Sequence, residues 1–146
     1  CGDYHWMSQT KLEGIDYTGA DVVSELIESN RQQYPGVKFL VADITKDLLP
    51  KADAVLCRDC FIHLSNRQVQ MAIQQFIKSG IRYMIASTYP VEQNEEIPTG
   101  YYRPVNLEIA PFHLRYPIDR IKDYPEGEVE RYLGVWDLNQ VFGDSC

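Results

Sequence analysis

The feature that most constrains the fold is an alternation of short apolar runs with longer segments of helical periodicity, which extends to residue 88. Four runs rich in apolar or β-branched residues have the character of strands: residues 17–21, 37–42, 53–57 and 81–88. Two segments, residues 22–33 and 65–79, carry apolar residues at helical spacing instead. The order strand, helix, strand, crossover, strand, helix, strand predicts an α/β fold, with a Rossmann-like, doubly wound and mostly parallel sheet.

The ends of the two helical segments are marked by residues that start and stop helices. Asp21 precedes the first segment and is a good N-cap, and Ser65 has the same position before the second. Gly80 follows the second segment, where a residue with positive φ commonly ends a helix. We therefore predict helices close to these bounds.

The pattern changes after Pro90. Residues 91–128 are rich in Pro, Gly and Asn and show no period, which predicts a long loop with room for one short helix. Loops of this length in compact domains are usually functional, so we expect this one on the substrate side. Residues 130–142 return to aromatic and β-branched types and predict a closing strand or hairpin. The length predicts a single domain, 1–146.

Charge and hydropathy narrow the classes of partner. The net charge is −7, and Lys and Arg form no cluster, so long nucleic acid is a disfavoured partner and a small-molecule substrate is favoured. No apolar run approaches the roughly 18–20 residues that cross a bilayer, and no signal segment opens the sequence, which favours a soluble cytoplasmic protein. The oligomeric state is left open.

Cys57 and Cys60 form a C-x-x-C sequence. Redox and zinc sites share that spacing, but a zinc ribbon needs a second pair, and the other two cysteines lie at the chain ends. The favoured interpretation is two small apolar residues that close a buried strand, so no metal is expected.

Asp21 and Asp43 each follow a predicted parallel strand. Ligands of open parallel sheets bind beyond the carboxyl ends of the strands, where a carboxylate can accept hydrogen bonds from ribose hydroxyls. Asp21 by itself could be only a helix cap, and Asp43 only a loop carboxylate. Together they predict a nucleoside site, with Asp21 at the ribose and Asp43 at an exocyclic amine. Gly2, about twenty residues earlier, suits a turn where a ligand approaches the backbone closely.

With these residues in place, the sequence resembles the class I S-adenosylmethionine-dependent methyltransferases, and more narrowly a group of bacterial methyltransferase-like proteins. The matching segments are residues 1–7 (CGDYHWM), 17–21 (YTGAD), 41–45 (VADIT), 57–64 (CRDCFIHL) and 99–107 (TGYYRPVNL). The resemblance covers most of the first 118 residues and implies the class I methyltransferase fold, with S-adenosylmethionine as cofactor and S-adenosylhomocysteine as product.

The resemblance also implies which residues contact the cofactor. Cys1, Gly2 and Asp3 match the glycine-rich first motif beside the methionine part of the cofactor. Asp21 with Val22 matches the ribose position, Asp43 with Ile44 the adenine position, and Cys57 with Arg58 the backbone that runs along the cofactor. The acidic residue and the earlier glycine of the first motif have no counterpart, so the first strand is expected to be truncated.

Asp59 and His63 are the candidate catalytic residues. They lie four apart, so a helical turn would place them on one face, with Asp59 orienting His63 as a general base for an acceptor hydroxyl or amine. The alternative is structural: Asp59 bonds nearby backbone and His63 fills the start of a helix.

Trp6, Tyr102, Arg103 and Asn106 are the candidate substrate-binding residues. Arg103 beside aromatic residues could hold a carboxylate or phosphate, and it could equally tie the loop to an acidic surface. Trp6 could cover the amino-acid end of the cofactor or be a core residue.

Three functions are consistent with these residues. The first is a methyltransferase acting on a small molecule, and the second is a degenerate module that binds the nucleoside without turnover. The third, an NAD-type oxidoreductase, is less favoured because it gives Asp43 and Ile44 no role.

Overall fold

The computed structural model describes residues 1–142, and its contacts divide the chain into two compact units, Cys1–Asp47 and Leu48–Cys146. Each unit is organised around its own sheet. The assignment of residues 1–146 to one domain stays a prediction.

The first unit is a small α/β layer. It contains helix α1 (His5–Ser8), strand β1 (Thr18–Asp21), helix α2 (Ser24–Gln33) and strand β2 (Lys38–Val41). Strands β1 and β2 are parallel, with Asp21 beside Val41 in the register. Tyr4, Ile27 and Phe39 are buried together, and the ring of Tyr4 contacts those of Tyr17 and Tyr34. These contacts give the unit an aromatic core.

The start of α2 differs from the prediction. The helix begins at Ser24 with Val23 at the N-cap, so the prediction that Asp21 is the N-cap is wrong. Asp21 is the last residue of β1, and its carboxylate instead accepts from the N–H of Val23. Val22 and Val23 were expected on the apolar stripe, but they are 63% and 46% exposed. The stripe that is buried consists of Ile27 and Asn30.

The second unit contains a four-stranded mixed sheet. Its elements are β3 (Ala54–Cys57), a 3₁₀ turn (Phe61–His63), α3 (Asn66–Lys78), β4 (Tyr83–Thr88), β5 (Asp119–Lys122) and β6 (Tyr132–Asp137). The strand order is β3-β4-β6-β5, with β3 parallel to β4 and β6 antiparallel to both neighbours. The predicted α/β fold and the closing strand are confirmed.

Helix α3 follows the sequence signals closely. Ser65 accepts from the N–H of Gln68, whose side chain reaches back to Ser65, which is a capping box. Val69, Ala72, Ile73 and Phe76 form the buried stripe, and Gly80 ends the segment with φ +72°. At 13 residues α3 is the longest helix that the structure describes, and none within residues 1–142 combines the length and apolarity of a membrane span.

The segment 91–128 is not entirely a loop. Strand β5 lies within it, and no helix forms between residues 91 and 128, all of which are described. The four residues of β5, Asp-Arg-Ile-Lys, carry one apolar side chain and therefore no strand signal. They are extended because β6 pairs with them at the edge of the sheet, a tertiary effect that overrides local propensity.

Candidate functional site

Asp21 lies at the carboxyl end of β1, where its carboxylate is held by backbone donors. Its Oδ1 accepts from the N–H of Val23 at 3.1 Å, and its Oδ2 accepts from the N–H of Gly2 at 3.0 Å. The amino group of Cys1 lies 3.3 Å from the same Oδ2. These contacts bring Cys1, Gly2 and Asp21 together at this edge of the first unit, as predicted for a nucleoside site.

The ionisation of Asp21 is set by opposing effects. Partial burial raises the pKa of Asp21, but the hydrogen bonds from Val23 and Gly2 and the charge of the amino terminus outweigh it. The net result is a lowered pKa, so the side chain is an anion and acts only as an acceptor at neutral pH.

Asp43 lies two residues beyond the carboxyl end of β2, the strand that pairs with β1. Its Oδ1 accepts from the N–H and the hydroxyl of Thr45, at 2.9 and 2.6 Å, and its Oδ2 is 3.0 Å from Nζ of the exposed Lys46. The hydrogen bond from the Thr45 side chain is the main cause that lowers the pKa of Asp43, with a further contribution from Lys46. Asp43 is therefore a second fixed carboxylate, just beyond the end of the neighbouring strand.

The other predicted cofactor residues of the first unit surround these two. Gly2 has φ +56°, and its carbonyl accepts from Nδ2 of the buried Asn30 at 2.8 Å. Asp3 accepts from the N–H of His5 at 3.0 Å, at the start of α1. Val22 is exposed and Ile44 is half-buried. Their contact with a cofactor stays a prediction.

Trp6 lies on α1 and is 48% exposed. The alternative that it is a core residue is therefore wrong, because the aromatic core of this unit is built on Tyr4 instead. A role in covering a ligand stays a prediction.

Cys57 and Cys60 contact each other within the second unit. Cys57 is the last residue of β3 and is buried, whereas Cys60 is half-buried, and neither forms a disulfide within the described residues. The hydrogen bond with Cys60, followed by burial, raises the pKa of the Cys57 thiol well above its ordinary value. No group of three or more metal-ligating side chains occurs in residues 1–142. A protonated thiol on Cys57 is consistent with the favoured interpretation of the sequence, in which the two cysteines are small apolar residues that close a buried strand.

The predicted orientation of His63 by Asp59 is wrong. Asp59 has φ +52°, which breaks the helical turn that would have placed the two side chains on one face. The carboxylate of Asp59 lies 3.3 Å from Nη1 of Arg131, and Nδ1 of His63 lies 3.0 Å from the carbonyl oxygen of Tyr101. A carbonyl can only accept, so Nδ1 is the donor in this contact. In a neutral ring the nitrogen with the lone pair would then be Nε2, and Asp59 takes no part in that contact.

Arg58 and Asp59 belong to a cluster of two arginines and two aspartates beyond the ends of β3 and β5. Arg58 donates to Asp123 through Nε at 3.0 Å and lies 3.5 Å from Asp59. Arg131 contacts both aspartates, at 3.2 Å from Asp123 and 3.3 Å from Asp59. The Arg58 side chain thus links loops of this unit through ion pairs. Its backbone directly follows β3, and contact of that backbone with a cofactor stays a prediction.

Asp123 and Arg131 were missed by the sequence interpretation. They lie at the two ends of the loop that joins β5 to β6, Asp123 directly after β5 and Arg131 directly before β6. The only sequence signal was the charge alternation around a turn-forming Pro-Glu-Gly at residues 125–127, which is typical of any solvated hairpin. Their pairing with Arg58 and Asp59 depends on strand order, which the sequence does not display.

Arg103 ties down the long loop, so its interpretation as a binder of substrate carboxylate or phosphate is wrong. Its side chain is 2% exposed, and its guanidinium donates to the carbonyls of Glu95 and Phe61 and to Oδ1 of Asn66, at 2.9, 2.8 and 2.7 Å. Burial lowers the pKa of Arg103. The alternative of a loop tie is correct, but the partners are carbonyl and amide oxygens rather than an acidic surface.

Tyr102 and Asn106 have different surroundings. Tyr102 is 58% exposed, and its ring centroid is 6.2 Å from that of His63. Asn106 donates to the carbonyl of Val91 at 2.9 Å and also lines a cavity at the end of β4. Substrate contact by these two residues stays a prediction.

The architecture was compared with known proteins. No protein-family model matches the sequence, and no curated protein matches it significantly. Among solved structures, a TehB-like S-adenosylmethionine-dependent methyltransferase from Corynebacterium glutamicum is 16% identical, with a TM-score of 0.62 over 94% of this chain and 76% of that one. A second S-adenosylmethionine-dependent methyltransferase, from Methanosarcina mazei, is 13% identical, with a TM-score of 0.65 over 92% and 87%.

The chain has the fold of the S-adenosylmethionine-dependent methyltransferases. A third structure with this methyltransferase fold is the magnesium protoporphyrin IX methyltransferase from Synechocystis PCC 6803, with bound S-adenosylmethionine. It is 17% identical, with a TM-score of 0.58 over 84% of this chain and 60% of that one. The resemblance drawn from the sequence segments is confirmed at the level of the fold.

Proposed function

We propose that the protein is an enzyme that transfers a methyl group from S-adenosylmethionine to a small-molecule acceptor. The observation that carries the proposal is the pair Asp21 and Asp43, fixed carboxylates at the carboxyl ends of two neighbouring parallel strands in a chain with the methyltransferase fold.

The chemistry of the two carboxylates fits an adenosine. Ribose hydroxyls and the adenine amine are hydrogen-bond donors, and each aspartate is a pure acceptor because its pKa is lowered. Among residues 1–142, the hydrogen bond to Oδ1 of Asp21 comes from the Val23 N–H, and Oδ2 of Asp43 pairs with the exposed Lys46. A carboxylate oxygen can accept a second donor, so each could also accept from an adenosine. Gly2, with its positive φ, has nothing within 4 Å of the position where a Cβ would be, which leaves space for a ligand.

The chain contributes carboxylates that accept hydrogen bonds from the cofactor and orient it, and a side chain that accepts a proton from the substrate. Asp21 and Asp43 would hold S-adenosylmethionine, which would supply an electrophilic methyl group on a sulfonium, with the thioether S-adenosylhomocysteine as the leaving group. The acceptor's oxygen or nitrogen lone pair forms the new bond to carbon, so a hydroxyl or amine loses one proton. We assign that proton to Nε2 of His63, because the contact with the Tyr101 carbonyl uses Nδ1 as the donor and Nε2 is the other ring nitrogen.

Two other functions are supported less well. An NAD-type oxidoreductase would use a carboxylate such as Asp21 but has no use for Asp43. A module that binds nucleoside without turnover would keep both aspartates and give His63 no role.

A small acceptor is supported by charge and by the neighbours. The net charge of −7 disfavours nucleic-acid phosphates. One neighbour is named for magnesium protoporphyrin IX, and another comes from echinomycin biosynthesis. We also propose a cytoplasmic location in a bacterium, which is supported by the resemblance of the sequence to bacterial methyltransferase-like proteins.

Calorimetric titration with S-adenosylhomocysteine and with NAD tests the cofactor. We expect heat with the former only, and a loss of at least about tenfold in affinity for Asp21→Ala, since charge-assisted hydrogen bonds contribute roughly 1.5–3 kcal/mol each. Asp16→Ala is the matched control, because Asp16 is an exposed carboxylate whose ion-pair partner among residues 1–142 is the exposed Lys38. No heat with S-adenosylhomocysteine, or equal loss in both variants, would overturn the proposal.

Transfer of label from methyl-labelled S-adenosylmethionine to a small-molecule extract tests His63. We expect His63→Ala to keep S-adenosylhomocysteine affinity and to lose transfer. Loss of cofactor binding in this variant would mean that His63 is structural, and unchanged transfer would mean that it is not the base.

A further inference from the structure

Asn30 is a buried polar residue on the inner stripe of helix α2, in the first unit. It is 2% exposed and shares the buried stripe of the helix with Ile27. Asparagine forms helices less readily than leucine, and a buried amide is unfavourable unless it is hydrogen-bonded. An apolar side chain would therefore suit the packing of this position better. The amide is explained by the group that it binds rather than by packing.

The amide of Asn30 binds the turn that contains Gly2. Its Nδ2 donates to the carbonyl oxygen of Gly2 at 2.8 Å, across 28 residues of the sequence. Helix α2 is a firm support for this bond, because Ile27 packs in the aromatic core and Nη2 of Arg31 donates to the carbonyl of Phe39 at 2.9 Å. The carbonyl of Gly2 is thus held from the helix layer.

Gly2 needs such support because glycine has the widest choice of backbone conformations. Its φ is +56°, and its N–H donates to Oδ2 of Asp21 at 3.0 Å. Asp21 therefore orients the peptide group that precedes Gly2, and Asn30 orients the one that follows it. Without the bond from Asn30, a contact that orients the peptide group between Gly2 and Asp3 is lost.

The bond from Asn30 also sets the direction of the N–H of Asp3. The peptide group that joins Gly2 to Asp3 is trans and planar, so its C=O and its N–H point in opposite directions. Since the carbonyl points at helix α2, the N–H of the exposed Asp3 points away from the helix. A backbone donor with this direction can bind an acceptor group of a ligand, such as a carboxylate.

The segment 1–3 lies on the side of β1 that faces away from β2. Ala42 donates to the carbonyl of Asp21 on the β2 side, whereas the nitrogen of residue 1 donates to the carbonyl of Ala20. Successive carbonyls of a strand point to opposite edges, so segment 1–3 and Asp43 lie at opposite edges of β1. For a nucleoside with its ribose at Asp21 and its amine at Asp43, the 5′ substituent is expected on the side of segment 1–3.

We infer that Asn30 is a positioning residue of the cofactor site. It acts through Gly2, by orienting the peptide group whose N–H, that of Asp3, binds the amino-acid end of S-adenosylmethionine. The inference rests on the proposed function, because it takes Asp21 and Asp43 as the residues that hold the adenosine part of the cofactor.

Two ligands that differ at the amino-acid end test the inference. Calorimetric titration compares S-adenosylhomocysteine with 5′-methylthioadenosine, which has the same adenosine and thioether but a methyl group in place of the amino-acid chain. We expect Asn30→Ala to weaken S-adenosylhomocysteine about tenfold and methylthioadenosine less than about twofold, since one charge-assisted hydrogen bond is misdirected. Asp21→Ala should weaken both ligands. Equal loss for both ligands in Asn30→Ala, or no loss for either, would overturn the inference.

Gln33→Ala is the matched control for Asn30→Ala. Gln33 is an exposed amide on the same helix, and its Nε2 donates to Oγ of Ser29 at 3.3 Å. We expect both affinities to be unchanged in this variant. A selective loss of S-adenosylhomocysteine affinity in Gln33→Ala would contradict the assignment to Asn30.

Two further measurements cover a variant that does not fold. If Asn30→Ala is unfolded by circular dichroism, Asn30→Asp decides, because aspartate has the same shape and, in its ionised form, no hydrogen to donate. An unchanged preference for S-adenosylhomocysteine in Asn30→Asp overturns the inference. In the parent protein, the NMR amide resonance of Asp3 should shift with S-adenosylhomocysteine and much less with methylthioadenosine. Equal shifts with the two ligands would contradict the inference.

The outcomes separate this inference from the proposed function. If the parent protein binds neither ligand, the proposed cofactor is wrong and the role of Asn30 falls with it. If the parent protein binds both ligands with equal affinity, or if Asn30→Ala loses both alike, the adenosine site stands and only the role of Asn30 is overturned.

Discussion

Arg103 illustrates how burial decides the role of a charged side chain. In the sequence, an arginine beside two tyrosines is equally consistent with binding a ligand and with holding a loop in place. Only its surroundings in the structure decide between these two roles. Every acceptor that it reaches is a neutral oxygen on its own chain, and 2% of the residue is exposed. Its hydrogen bonds therefore hold the segment 91–118 against the 3₁₀ turn and the start of α3.

Replacing Arg103 by Lys is expected to lower the free energy of unfolding by about 2–3 kcal/mol. Lysine keeps the positive charge but loses the planar fork, so at least two of the three acceptors are left without a partner in a buried site. Urea denaturation measures the change, with Arg67→Lys at an exposed position of α3 as the control. Equal stability of the two variants would show that the fork is not needed.

Asp43 makes a pH-dependent contribution to stability. Its pKa is lowered in the folded chain, so the stabilisation is present above the unfolded value of about 3.9 and is lost as the pH falls through the lower folded value. Asp43→Asn is therefore expected to have a lower Tm than the parent near neutral pH, and the gap should close in acid. Thermal unfolding across the acid range measures it.

The control for this pH profile is Asp16→Asn, since the exposed pair of Asp16 with Lys38 should contribute little at any pH. A gap between Asp43→Asn and the parent that is constant with pH would mean that lost hydrogen bonds, and not ionisation, explain the destabilisation.

Among the elements, β6 depends on a residue without a side chain. Gly134 pairs with Ala86 of β4 and Arg120 of β5, and the ring of Trp136 lies directly against it. A Cβ on Gly134 would be 2.6 Å from Cζ3 of Trp136 and closer still to Cη2. Trp136 is 1% exposed and donates from Nε1 to the carbonyl of Arg115, so its ring has little freedom to move.

Gly134→Ala is therefore expected to destabilise the second unit by about 1–3 kcal/mol through overpacking. Gly36→Ala is the matched substitution, because a Cβ there would meet nothing within 4 Å, and it should leave stability unchanged or slightly higher. Chemical denaturation of both variants checks the difference. A neutral Gly134→Ala would show that Trp136 can shift.

For the whole molecule, the acidic charge makes a prediction about partners. A net charge of −7 on 146 residues gives little counterion release on nucleic acid. We expect no change in fluorescence anisotropy when the protein is added to labelled duplex DNA or RNA at physiological salt. Binding with a steep salt dependence would contradict this and would require the methyl acceptor to be reconsidered.

Much of the fold follows from local signals in the sequence. Ser65, Gln68 and Gly80 bound α3 as expected, because caps depend on the backbone of the same segment. The strands that end near Asp21 and Asp43 were also predicted, because each short run alternates along the chain with a segment of helical spacing. Strand β5 was not predicted, because its four residues are extended through their pairing with β6 and not through their own sequence.

The sequence by itself determined the alternation of strands and helices, and with it the two aspartates at the ends of neighbouring parallel strands. Tertiary structure alone decided what the other candidates do. It separated Asp59 from His63 through a positive φ, buried Arg103 among carbonyl and amide oxygens, and buried the Nε–H of Arg120 without an acceptor among residues 1–142. The physical reason is that strand ends depend on local periodicity, whereas hydrogen-bond partners depend on which distant segments the sheet brings together.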